Sequence, residues 1–177
     1  NRGHPLLADL LDESHADAVK PAWGHDDHYP GGHGTPMAGL AAFGDLSPLL
    51  EGTDLVELTH RLESVKILPR AGTNEPENYG VITQTGMTLA ENNALDRKHR
   101  VFALAVTAVD APDFTEKGKP TAWSSALDSF ASGATEEDTV KRLICVSGGN
   151  VPWDIFKDTS MSYPAKNELV SLEDPAQ

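Results

Sequence analysis

The chain has 177 residues, 39% of them hydrophobic and 23% charged, which is enough to bury one substantial core and ordinary for a globular domain. Lysine and arginine number 14 against 27 acids, and the resulting net charge of -13 repels phosphate backbones and anionic head groups alike, so neither nucleic acid nor a membrane surface is an expected partner. The single cysteine, Cys145, excludes an internal disulfide, and its apolar surroundings, Leu143-Ile144-Cys145-Val146, predict a buried, inert thiol.

No apolar run approaches the roughly 20 residues that a membrane helix requires. The opening Asn-Arg-Gly-His-Pro resembles no signal peptide. With few cysteines and no visible export signal, the cytoplasm is the expected compartment. The first residue is Asn1 rather than Met, which reads as a cut boundary.

The stretch up to Gly32 is rich in His, Asp, Pro and Gly without a sustained period, and predicts loop with a turn or two of helix. Thr35 to Phe43 carries Met37, Ala38, Leu40, Ala41 and Ala42 and predicts a short buried helix; Pro36 is tolerated in its first turn and Gly44 stops it. Leu55 to Leu68 ends in Val65-Lys66-Ile67-Leu68, with the β-branched content of a core strand closed by Pro69. A surface loop over Arg70 to Asn78 precedes a helix built on Val81, Ile82, Thr85, Met87, Leu89 and Ala90 that ends near Asn92-Asn93. Val101 to Val106 reads as a second strand, Ala122 to Ala131 as a helix stopped by Gly133, and Leu143 to Val146 as a third strand running into Ser147-Gly148-Gly149-Asn150. The tail from Ser171 to Gln177 is polar.

Strands and helices that alternate, with continuous apolar strands, predict an α/β fold: a three-layer α/β/α arrangement around a mainly parallel sheet with right-handed crossovers. One domain over residues 1–177 is expected. In such sheets ligands bind at the carboxyl ends of the strands, here around Val106 to Ala108 and Ser147 to Asn150.

His33-Gly34-Thr35-Pro36-Met37-Ala38-Gly39 lies between a Gly-rich loop and a small-residue helix, which fixes an imidazole at a helix amino terminus as an oriented base would be. This segment resembles the histidine motif of the subtilisin-like serine proteases, in which His-Gly-Thr, two variable residues and Ala-Gly begin a buried helix. Further blocks resemble the same family in the same order along the chain. Asn1-Arg2-Gly3-His4-Pro5-Leu6-Leu7 is similar to the segment after the family's catalytic aspartate motif, Val65 to Leu68 to its Val-Lys-Val-Leu strand, and Ser147-Gly148-Gly149-Asn150 to its Ala-Gly-Asn block.

The resemblance implies a subtilisin-like peptidase domain truncated at both ends, with the aspartate before Asn1 and the nucleophilic serine beyond Gln177. The family's Gly-Thr-Ser motif does not occur; Ser124-Ser125, Ser147, Ser160 and Ser162 all stand in other contexts. It further implies a serine endopeptidase acting through an acyl-enzyme, with His33 as general base and Asn150 as oxyanion donor. Ala105, Val106, Thr107, Ser147, Gly148 and Gly149 would line an extended peptide substrate. No cofactor is implied, the partner is a peptide or protein substrate, and surface bared by the truncation would favour self-association. The fragment by itself would be inactive.

Two other readings stay open on the residues. A degenerate member of the family could serve as a binding scaffold, since a fold survives loss of activity. His25-Asp26-Asp27-His28 with His33 has ligand types suited to a transition metal, although the spacing matches no zinc pattern. No calcium loop of the Asp-x-Asp-x-Asp-Gly type is present.

Overall fold

The computed structural model of the chain describes residues 3–11, 13–27, 32–53, 55–97, 99–107, 120–133 and 140–148. Two compact units are distinguished along the chain, Asn1–Asn74 with Val81–His99, and Glu75–Gly80 with Arg100–Gln177.

In the first unit, the opening segment is a run of turns. The N–H groups of Leu7 and Ala8 donate to the His4 carbonyl at 2.9 and 3.1 Å, and those of Leu10 and Leu11 donate to the Leu7 carbonyl at 3.0 Å each. This winding puts Leu7 and Leu10 on one side, where both are buried with Ala42; Ala38, Phe43, Leu58 and Leu62 pack against them.

Strand β1, Ala16–Ala18, pairs in parallel with β2, Ser64–Lys66, Ala16 lying opposite Ser64 and Ala18 opposite Lys66. The predicted strand at Val65 to Leu68 is thus present but one residue earlier and shorter, ending before Pro69 can interrupt the ladder. Its partner β1 was expected to be loop. Ala-Asp-Ala has little strand propensity of its own, and its extended backbone comes from long-range pairing.

Helix α1, Gly34–Phe43, stops at Gly44, whose φ of 65° suits a glycine. The expectation of a buried helix needs correction. Leu40 is 56% exposed and Ala42 is the buried residue of the helix, which packs on the Leu7 and Leu10 cluster through Ala38, Ala42 and Phe43. A five-residue helix, α2 (Ser47–Glu51), follows.

Helix α3, Tyr79–Asn93, has the predicted extent. Thr83, Met87, Ala90 and the following Ala94 are buried at spacings of helical period, which defines its inner stripe. Gly86 is pressed against β2 and its flanks, so closely that a Cβ there would stand 2.8 Å from Ile67 Cγ2, 3.5 Å from Val19 Cγ2 and 3.6 Å from Val65 Cγ1. At the carboxyl end, the Asn93 amide donates to Asp17 Oδ2 at 3.2 Å. Beyond it, Arg97 donates from Nη1 to Glu63 Oε1 at 2.8 Å and from Nη2 to His15 Nδ1 at 3.1 Å. Since a guanidinium only donates, Nδ1 of His15 is the acceptor.

In the second unit, β3 (Val101–Leu104) and β4 (Leu143–Val146) pair in parallel, Val101 opposite Leu143 and Leu104 opposite Val146. Helix α4, Ala122–Ser132, lies between them in sequence. Its amino terminus is capped by Thr121, whose hydroxyl accepts the Ser124 N–H at 3.0 Å, and it closes on Gly133 in the left-handed region. The Phe102 and Phe130 rings meet edge to face with centroids 5.6 Å apart, and Arg142 lies 4.3 Å over the Phe130 ring.

The parallel pairing is that of the predicted α/β class. Coverage of these strands, however, is one-sided among the described residues: Phe102 and Leu104 are half-buried while Val101 is 64% exposed, and on β4 only Ile144 is partly covered. Cys145 is accordingly exposed, against the expectation of a buried thiol; an apolar run proved a poor guide where one strand face has nothing described against it.

Candidate active site

His33 is exposed and stands at the head of α1 with helical backbone angles, φ -83° and ψ -45°. Its carbonyl accepts the Met37 N–H at 3.2 Å, which opens the helical ladder. The imidazole does not cap the helix. That task falls to Asp27, whose Oδ2 accepts the Thr35 N–H at 2.8 Å. Pro36, next in the chain, has no N–H to satisfy, so it removes one of the donors that a helix start leaves over. The negative carboxylate also meets the positive end of the helix dipole.

The two glycines that flank His33 make room for this arrangement. A Cβ at Gly32 would lie 3.3 Å from Asp27 Oδ2, and one at Gly34 would lie 3.6 Å from it. Gly32 also has φ of 67°, a conformation that an L side chain adopts at a cost of about 1–2 kcal/mol. Asp27, Gly32 and Thr35 border a hollow of about 410 Å³ closed on another side by Gly3, His4 and Pro5. Two blocks that the sequence singled out, the opening segment and the His-Gly-Thr motif, therefore line one concavity.

The loop carrying Asp27 is tied to β2 by Lys66, whose Nζ donates to the carbonyls of Asp26 at 2.8 Å and Trp23 at 3.2 Å. Burial holds the Lys66 amine below its ordinary value of 10.5, and the charge of Arg70 adds to this; Asp27 and Asp26 work in the opposite direction. Sequence reading had treated Lys66 only as a strand residue and Asp27 only as a metal-ligand type. One signal was available: a helix whose N-cap position holds His, with Pro in its first turn, must take its cap from elsewhere.

In the second unit, the parallel register sets the carboxyl ends of β3 and β4 side by side, and the Ser147 N–H extends the ladder by donating to the Leu104 carbonyl at 2.9 Å. Ala105, Val106 and Ser147 are half-buried there, while Thr107 and Gly148 are exposed. Gly149 and Asn150, the predicted lining glycine and oxyanion donor, lie outside the described residues. Ser124 is occupied locally, its hydroxyl donating to the Thr121 carbonyl at 3.0 Å.

Among the described residues no group of three or more His, Cys, Asp or Glu side chains is placed to hold a metal ion, and His28 of the proposed ligand loop lies outside them. No helix among the described residues is long and apolar enough to cross a membrane.

Compared with curated proteins and with solved structures, the chain finds no match in either. Compared with protein-family models, it matches that of the subtilase family over residues 1–177. The chain, carrying the His-Gly-Thr-Pro-Met-Ala-Gly segment at the head of α1, belongs to the subtilase family of serine peptidases.

Proposed function

We propose that this chain supplies the histidine and the oxyanion donor of a subtilisin-type endopeptidase, and that the aspartate and serine completing the triad come from residues outside 1–177. The observation that carries the reading is the family match along the whole chain together with the exposed His33 at the head of α1.

In this mechanism His33 takes the proton of the serine hydroxyl as its Oγ bonds to the scissile carbonyl carbon. The Asn150 amide donates to the resulting oxyanion, a contact whose removal costs about 2.7–4 kcal/mol as measured on a subtilisin itself. The imidazolium then returns its proton to the leaving amine, the C–N bond breaks, and water repeats the sequence on the acyl-enzyme. Ala105 to Thr107 and Ser147 to Gly149 hold the peptide in extended form. Gly148 and Gly149 leave its side chains room to approach the backbone.

The test is labelling with a serine-directed fluorophosphonate and cleavage of a broad peptide library. Residues 1–177 alone should be silent, and the protein bearing both flanking motifs should be labelled and active. An intact triad sequence that neither labels nor cleaves would favour a binding scaffold instead.

A further inference from the structure

We infer that Asp27 is a positioning residue for His33, and that Lys66 acts behind it: β2 holds the 23–27 loop, the loop presents the Asp27 carboxylate, and the carboxylate fixes the turn that begins with His33. The inference rests on the peptidase reading and adds to it two residues outside the triad. Three observations converge. The Lys66 ammonium grips two carbonyls of the loop, at Trp23 and Asp26. Asp27 reaches across to the Thr35 N–H, two residues past His33. Its Oδ2 would lie within van der Waals range of a Cβ at Gly32 and at Gly34, so the carboxylate lies against the backbone on either side of His33.

The chemistry makes such a tie consequential. A general base must sit within hydrogen-bond reach of the proton it takes, and a misplacement of about 1 Å can cost 10²-fold in rate. His33 stands at a helix start, where the ladder has only just begun and the backbone frays most readily. Pro36 contributes no N–H, which leaves the Thr35 N–H as a first-turn donor through which the rest of the protein can hold this backbone.

The experiment uses the full-length protein containing this chain, with active sites counted by fluorophosphonate titration so that unfolded molecules do not enter kcat. Asp27→Ala should lower kcat by about 10-fold or more with KM within about 2-fold of the wild type. Asp27→Asn, which keeps an acceptor oxygen, should recover most of that loss. Lys66→Met should lower kcat in the same sense, and the double variant with Asp27→Ala should lose less than the product of the two, because both act through one hydrogen bond. Hydrogen exchange of the Thr35 amide, read alongside, should be slow in the wild type and in Asp27→Asn and fast in Asp27→Ala.

A lowered melting temperature with unchanged kcat per titrated site would overturn the positioning role, as would an Asn variant as impaired as the Ala variant. A wild type that neither labels nor cleaves overturns the peptidase reading instead. In that case loss of Thr35 protection in Asp27→Ala would still uphold the tie to the His33 turn, and unchanged protection would remove it.

Discussion

Asp27 Oδ2 accepts the backbone N–H of Thr35 at 2.8 Å, a cap delivered to helix α1 from eight residues upstream. Loss of a capping side chain costs about 0.5–2 kcal/mol. Asp27→Ala should therefore lower the unfolding free energy by about that amount, and Asp27→Asn by less, in urea denaturation of the chain. Equal losses in the two variants would mean that the charge, not the acceptor, matters.

Three helical glycines divide by what surrounds them. Gly86 and Gly80 should both resist Ala. A Cβ at Gly86 meets the stiff Ile67 Cγ2 at 2.8 Å, and one at Gly80 meets Ala126 Cβ at 2.8 Å and the Ala122 carbonyl oxygen at 3.3 Å. Overpacking costs about 1–3 kcal/mol, against roughly 1 kcal/mol gained in helix propensity, so either substitution should be neutral to destabilising. Gly39 has nothing within 4 Å of the corresponding point. Gly39→Ala should raise stability by about 0.5–1 kcal/mol. Melting curves of the three variants would expose an error if Gly39→Ala were the worst of them.

Much of this arrangement was legible beforehand, and the pattern of what was not is physical. α3, α4 and β4 were readable because each carries its own signals: a stripe of period near 3.6, glycine or Asn-Asn at the end, or an apolar run of strand length. β1 was not, because Ala16–Ala18 is a strand only through its pairing with Ser64–Lys66. The exposure of Leu40 and Cys145 was not either, since burial depends on which elements arrive at a face and the apolar character of a residue does not reveal that. At the site, the motif marked His33, but the support from Asp27 and Lys66 spans 8 to 43 positions of sequence and follows no short pattern.

The Arg97 guanidinium bridges two acceptors, Glu63 Oε1 and His15 Nδ1, with side-chain exposures of 26% for Arg97 and 13% for Glu63. A single ammonium cannot reproduce that fork. Arg97→Lys should thus recover little of the stability lost in Arg97→Ala, which is expected at about 1–3 kcal/mol for a charged hydrogen bond in partial burial. Full recovery in the Lys variant, by denaturant unfolding, would show that charge alone suffices.

Asp45 Oδ1 accepts the Ser47 N–H at 2.9 Å at the start of α2, and its carboxyl is held below its ordinary 3.8 by the Ser47 backbone first and the Ser47 side chain second. A carboxylate favoured in the folded state gives stability that is complete above the unfolded value and disappears as pH falls through the lowered folded value. The Ser47 amide should accordingly keep its protection at pH 5 and lose it only below pH of about 4. In Asp45→Asn, whose acceptor does not titrate, protection should stay flat over that range; a wild-type loss centred above pH 5 would contradict the assignment.

The proposed role of His33 as general base is tested by kcat of the protein bearing both flanking motifs, with and without His33→Ala. A fall of about 10⁶-fold is expected, the order found when the histidine of a subtilisin is removed. Retention of wild-type kcat in the folded His33→Ala variant would contradict it.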